Sequence, residues 1–215
     1  MPGKAPAPAV PVWVIAMLKG GVRKSTTAMM TAFGLAARGL EVLVVDADHL
    51  TQGVTDWGTR VYADGGELPF HVVQWAPSQG LLVPFLQRAQ RETEASIVLV
   101  DVGGEAPEVL RQIVLAASLV ISPTGPEQSE LGRVPATATI VRGSTVPMMA
   151  LLTRVPTPGV GIAREARRYL ESEGLAVLDT EIPQNREVYA HVWGTVPDNL
   201  GAYGQLTGEL LKREA

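Results

Sequence analysis

Short runs of Val, Ile and Leu recur along the chain, separated by longer stretches in which apolar and polar residues mix. The runs at Val12–Met17, Val42–Asp46, Phe70–Trp75, Ile97–Asp101, Leu119–Ser122, Met148–Thr153 and Val177–Ile182 lack the polar alternation of a half-exposed strand. Such runs suit strands covered on both faces of a parallel sheet. The stretches between them predict helices over Lys24–Arg38, Gly53–Tyr62, Gly80–Glu92, Pro107–Ala117, Gln128–Arg142, Ile162–Glu173, Arg186–Val192 and Leu200–Arg213. Strand and helix in regular alternation predict a doubly wound α/β fold with a mostly parallel sheet flanked by helices. Residues 1–10, rich in Ala and Pro, read as a loose tail, and 11–215 as one domain with no linker inside it.

Composition narrows the chemistry. Apolar residues make up 46% of the 215, enough for a full core. Cysteine is absent, which removes disulfides, thiol nucleophiles, thiolate zinc sites and cysteine-ligated iron–sulfur clusters. The run Val12–Leu18 leads into glycines and lysines rather than a signal-peptide cleavage site, and no stretch reaches the length of a membrane span. A cytoplasmic protein is expected. The net charge of −4 argues against a generally basic nucleic-acid binder, so any DNA contact must come from a local patch. Arg164, Arg167 and Arg168, at i, i+3 and i+4 of one predicted helix, form the candidate patch. A solvated helix face is the plainer reading of the same pattern.

In doubly wound sheets ligands bind beyond the carboxyl ends of the strands. The first run is followed there by Lys19-Gly20-Gly21-Val22-Arg23-Lys24-Ser25-Thr26 and then a helical pattern. Glycines let successive N–H groups turn inward as an anion nest, and the helix adds its N-terminal dipole. Lys24 would neutralise β- and γ-phosphate charge, and the Ser25 hydroxyl can ligate Mg²⁺. Two of the chain's four lysines (Lys4, Lys19, Lys24, Lys212) lie in this segment. The second run ends Asp46-Ala47-Asp48, and the fourth ends at Asp101 before Val102-Gly103-Gly104. Carboxylates at strand ends need a cation, a lysine or a bound water as partner, and an apolar strand ending in Asp is the Walker B pattern that holds Mg²⁺.

The strict phosphate-loop pattern fails, because Leu18 and Arg23 stand where it has glycines. What fits is K-G-G-x-x-K-[ST], and on this motif the sequence resembles the ParA/MinD family of P-loop ATPases, most of all the small ParF-like partition ATPases. The resemblance runs over residues 11–213. It implies that Lys19 reaches across an ATP-sandwiched homodimer to the partner's nucleotide. It further implies that Asp46 helps organise the metal and the phosphate lysine, and that Asp48 orients the attacking water. Gln52-Gly53-Val54-Thr55-Asp56-Trp57 looks like the family's Q-x-x-T-x-W. Arg154, after the sixth run, and Pro183, in Glu181-Ile182-Pro183-Gln184-Asn185, resemble its adenine-side positions. The metal set implied is Ser25, Asp46 and Asp101; the nucleotide set is residues 19–26 with Arg154 and Pro183. The departures are His49-Leu50 for the usual Pro-Gln, Val102-Gly103-Gly104 for Thr-Pro-Pro, and Arg23 for the glycine before the phosphate lysine.

The function implied is plasmid or chromosome partition by a nucleoid-associated ATPase. ATP drives dimerisation, the dimer binds DNA without sequence preference, and a ParB-like or ribbon–helix–helix protein stimulates slow hydrolysis. The alternatives are a MinD-like membrane-positioning ATPase and an ATPase that positions another cargo. The former needs a basic amphipathic C-terminal helix, and Leu206–Ala215 has few large apolar residues and two glutamates. His49, His71 and His191 share no metal-ligand spacing. Trp57, Trp75 and Trp193 read as packing anchors.

Overall fold

The computed structural model describes residues 10–185 and 192–214. Seven parallel strands form one sheet: β1 Val12–Ile15, β2 Val42–Ala47, β3 His71–Gln74, β4 Ile97–Val102, β5 Leu119–Thr124, β6 Met148–Leu152 and β7 Ala176–Val177, in the order β3-β2-β4-β1-β5-β6-β7. The helices are α1 Lys24–Ala36, α2 Gly53–Ala63, α3 Leu82–Thr93, α4 Pro107–Ile113, α5 Gln128–Leu131, α6 Val134–Val141, α7 Val160–Ser172 and α8 Ala202–Glu214. The doubly wound parallel fold expected from the pattern is the one observed.

The unbroken apolar runs are explained by cover on both faces. Along β1, Trp13 and Ile15 enter a core shared with α1, α2 and α8, whereas Val12 and Val14 enter a second core under α3 and α4. Burying each such aliphatic side chain stabilises the fold by roughly 1.5–3 kcal/mol. A third cluster joins Met17, Val22 and Leu152 to α6 and α7, anchoring the phosphate loop from below through Val22.

Three expected elements differ. The helix expected over 128–142 is two, α5 and α6, broken at Gly132-Arg133. Pro135 in the first turn of α6 has no N–H to continue a helix begun upstream. The run Val177–Ile182 pairs as a strand only at its start, although Ile182 still donates to the Leu152 carbonyl at 2.8 Å. The helix expected over 186–192 falls mainly on residues 186–191, which lie outside the described ones, as does His191.

α1 packs on α8 at unusually close range. A Cβ on Gly34 would lie 2.3 Å from the Thr207 hydroxyl. Thr27 and Tyr203 share a buried hydroxyl–hydroxyl hydrogen bond of 3.2 Å. The same helix pair is closed at its other end by Glu214, which accepts a 2.6 Å bond from the Trp13 indole on β1.

Candidate nucleotide site

The carboxyl ends of β1, β2 and β4 converge because the three strands are neighbours: Ile15 and Asp46 both pair in register with Asp101. The loop after β1 closes a cleft of about 370 Å³ lined by Gly20, Gly21, Arg23, Lys24, Ser25, Thr26, Asp48 and Gly104 among others. Gly21 has φ +77°, and Arg23 has φ 65° and ψ 36° as the residue capping α1. Left-handed positions of this kind turn the chain from strand to helix with its N–H groups inward. Arg23 thus occupies a left-handed position that a glycine would adopt without strain. Lys24 is buried, and its ammonium donates to the Lys19 carbonyl at 3.1 Å, so it already lies along the loop.

The three aspartates have different surroundings. Asp46 is buried and engaged: it accepts the Thr55 N–H at 2.8 Å, the Thr55 hydroxyl at 2.9 Å and the Asp48 N–H at 3.1 Å. Burial raises its pKa, and the Thr55 bonds oppose the shift. Asp46 therefore ties α2 to the loop carrying Asp48. Asp48 lies at the cleft wall, accepting N–H bonds from Leu50 and Thr51.

Asp101 is fully buried, and neither of its oxygens has a hydrogen-bond partner. Complete burial pushes its pKa up to about 7, with Asp46 and Asp48 adding to the rise and Ser25 and Lys24 opposing it. A carboxylate left unsatisfied in a low-dielectric site is costly unless a cation or donor completes it. The orphaned oxygens beside Ser25 fit a hard divalent cation with oxygen ligands.

Glycine is what lets these parts meet. A Cβ on Gly104 would lie 2.7–2.9 Å from the backbone of Lys19 and Gly20, and one on Gly103 would lie 2.9 Å from Asp48 Oδ1. The Gly103-Gly104 departure brings the β4 loop flush against the phosphate loop and the Asp48 carboxylate. Gly53 does the same for α2, since its Cβ would come 2.6 Å from Ser25 Oγ.

The remaining candidates sit around this centre. Lys19 is partly exposed, and its ammonium reaches the Ser129 carbonyl and hydroxyl, each at 3.3 Å, and Glu130 at 3.7 Å. Arg154 is paired with Glu130. Pro183 bridges to Val155, so the two adenine-side candidates adjoin. Arg164 and Arg168 are exposed on α7, but Arg167 is not part of their free face. It donates to the Leu178 carbonyl at 2.8 Å and pairs with Glu181 at 3.4 Å.

Trp57 and Trp75 are buried as expected, whereas Trp193 is 39% exposed and lines the cleft. Its ring packs against Trp57 at a 52° tilt with ring centres 5.0 Å apart, and its indole N–H donates to Asp56 at 3.3 Å. Its place at the site, like those of Leu50, Thr51 and Glu105, carried no motif signal.

Comparison with known proteins agrees with this geometry. A family described as an AAA domain matches residues 11–73. The chain is 30% identical over 119 residues to protein ParA of Rhizobium radiobacter, a match covering 55% of this chain and half of that protein. It is 35% identical to the maintenance of carboxysome distribution protein A of Gloeobacter kilaueensis, over 79% of this chain and 76% of the relative. It is 30% identical to the chromosome-partitioning ATPase Soj of Thermus thermophilus, over 80% of each. Among solved structures, a plasmid partition protein of Borrelia burgdorferi bound to AMPPNP superposes with TM-score 0.75 at 17% identity, covering 94% of this chain and 99% of that one. The cell division ATPase MinD of Pyrococcus furiosus gives TM-score 0.73 at 16% identity, covering 95% and 99%.

Proposed function

We propose, since the chain belongs to the ParA/MinD family of P-loop ATPases, that it is a partition ATPase whose ATP-bound form is a homodimer that binds DNA without sequence preference and hydrolyses ATP slowly until a ParB-like or ribbon–helix–helix partner stimulates it. The observation that carries the reading is the loop K-G-G-x-x-K-S after β1, which lines one cleft with Asp48, while Asp101 lies buried at the end of β4, in register with Ile15 and Asp46. The Borrelia relative was crystallised with AMPPNP, which supports a nucleoside triphosphate as the ligand.

The residues divide the work. Gly20–Thr26 cradle the phosphates with backbone N–H groups and the α1 dipole. Lys24, already laid along the loop, neutralises β/γ charge as it builds in the transition state. Ser25 and Asp101 are the groups that would hold Mg²⁺, whose chemistry is to neutralise phosphate charge. Asp46, with its oxygens given to Thr55 and Asp48, acts by fixing that loop. Asp48 orients the attacking water, a positioning role of the kind that dominates phosphoryl transfer. Lys19 completes the partner's site. Arg154 and Pro183 lie at the adenine side, and Arg164 and Arg168 supply DNA contacts.

Calorimetry and light scattering test this together. Lys24→Ala should abolish tight ATP binding. Lys19→Ala should bind ATP but neither dimerise nor hydrolyse it, and Asp48→Ala should accumulate an ATP-bound dimer. Unchanged ATP affinity in Lys24→Ala would overturn the phosphate-loop assignment.

A second reading keeps the switch and changes the cargo. The relative from Gloeobacter is named for carboxysome distribution and is 35% identical over most of this chain. On that reading the partner links the DNA-bound dimer to a protein body rather than to a replicon.

A further inference from the structure

Two of the cations assigned above converge on one carboxylate that no motif marks. Glu130, in α5, is almost fully buried, and its two oxygens have three partners. Oε2 accepts the Gly125 N–H at 2.7 Å. Oε1 is shared between the Arg154 guanidinium and the Lys19 ammonium. A buried carboxylate between two cations is stabilised in its charged form: burial alone would raise its pKa, but Arg154, the Gly125 N–H and Lys19 together hold it below the usual glutamate range.

The surroundings are built around this junction. A Cβ on Gly125 would lie 2.6 Å from Glu130 Oε2 and 2.7 Å from the Arg154 guanidinium, so any larger residue there would displace the ends of the paired side chains. Arg154 adopts a left-handed backbone, φ 54°, and its buried Nε has no partner. Strain and an unsatisfied donor at one residue persist only where neighbouring contacts outweigh them. Lys19 receives a second hold from the carbonyl and hydroxyl of Ser129, the residue before Glu130. The side chain expected to leave its own subunit is thus fastened within it.

We propose that Glu130 is a positioning residue for the ATPase cycle: within one subunit it holds Lys19 against α5 and Arg154 after β6, and Lys19 must break this pair to reach a partner's nucleotide. This rests on the reading of Lys19 as the lysine that acts across the dimer. The latch is set by charge, so an isosteric neutral side chain opens it. A partly exposed ion pair is worth about 0.2–1 kcal/mol, or roughly a 1.4- to 5-fold change in an equilibrium. Opening the latch therefore lowers the ATP concentration needed for dimerisation by about that factor.

The test uses the full chain with Glu130→Gln, titrating ATP and Mg²⁺ while following mass by light scattering. The expected result is a half-point for dimerisation about 1.4- to fivefold lower than in the parent, even with a lower melting temperature. A purely structural Glu130 would instead raise the half-point as the fold weakens. An equal or higher half-point in a folded variant overturns the proposal. Should Glu130→Gln not fold, lysine-selective ¹⁵N labelling of the parent gives the answer, because the chain has four lysines. The Lys19 ammonium resonance should move on adding ATP and Mg²⁺ while that of Lys212 stays, and a stationary Lys19 signal in a protein shown to dimerise refutes the latch. The two layers fail separately. If Lys19→Ala dimerises and hydrolyses ATP normally, the cross-subunit role of Lys19 is wrong. If Lys19→Ala is inactive and Glu130→Gln leaves the half-point where it was, only the role of Glu130 falls.

Discussion

Arg23 shows how one side chain can sit against the backbone preference of its own position. Its φ of 65° is a conformation that costs a non-glycine residue roughly 1–2 kcal/mol. Arg23 lines the cleft, where a permanent cation would favour bound nucleotide in ground and transition states alike and so would not speed the chemistry. Arg23→Gly should therefore raise basal ATPase activity severalfold and keep its Mg²⁺ dependence, read as phosphate release without DNA or partner. A slower variant would make the arginine a catalytic group. Asp101 carries a second residue-scale prediction. Its folded pKa of about 7 stands above its ordinary value of 3.8, so the folded state holds the proton more tightly than the unfolded one. The stability this gives is present in full below pH 3.8 and is lost as pH rises through about 7. Without metal or nucleotide, the parent should melt lower at pH 8 than at pH 5.5. Asp101→Asn should flatten that dependence and melt several degrees higher at pH 8, at about 2–4 °C per kcal/mol for a chain this size. Thermal scans at both pH values decide it.

At the scale of elements, the loop after β4 works as a spacer of fixed thickness. Gly104 abuts the phosphate-loop backbone, which cannot yield, whereas Gly103 abuts a carboxylate that can rotate. Gly104→Ala should thus weaken ATP binding at least tenfold, because the backbone cradle must shift. Gly103→Ala should keep most of the binding and lose turnover, because only Asp48 is displaced. Calorimetry and steady-state hydrolysis on the two variants separate these outcomes. Elements were also where the sequence was most legible. Strand runs and the loops that follow them are local patterns, and apolar cover on both faces left an unambiguous signal at β1, β2 and β4. The phosphate-loop segment and the three aspartates were legible for the same reason. Glu130 was not, because a glutamate in a polar helical stretch reads as a solvated face, and its partners lie 24 and 111 positions away. The break between α5 and α6 was missed because the apolar pattern continues through it while the hydrogen bonds do not. Arg167 misled in the opposite way: spacing put it on a basic face, and the end of β7 claimed it.

For the whole molecule, a net charge of −4 must be reconciled with the DNA partner proposed above. One copy presents Arg164 and Arg168 together, too few contacts for useful affinity against the overall field. In the proposed dimer, two copies would bring four such arginines to one duplex, and avidity would supply the remaining affinity. Binding should then require ATP, ignore sequence, and fall with salt at a slope near −3.6, about −0.9 for each phosphate contact. Replacing Arg164 and Arg168 with Glu should abolish it without lowering the melting temperature. Arg167→Ala should instead lower the melting temperature, because it unties α7 from residues 177–181. Filter binding across a salt series, with melting curves on the same variants, checks both halves. DNA affinity unchanged in the double variant would move the interface elsewhere.

The contact between α1 and α8 bears on how the protein is made. Trp13 and Glu214 are bonded to each other across 201 positions of sequence, and α8 forms the outer wall of the core that α1 and β1 begin. At about 5–20 residues per second, synthesis leaves roughly 10–40 s between the emergence of the two partners. Through that interval the α1 face later met by Tyr203, Leu206 and Leu210 is bare, directly behind the phosphate loop. A ribosome-bound chain stalled before residue 202 should accordingly recruit chaperones and fail to retain ATP, although every residue of its phosphate loop has already been translated. Competence to bind nucleotide would then be acquired late in biosynthesis, by the closing of a wall on the far side of the helix that follows the phosphate loop.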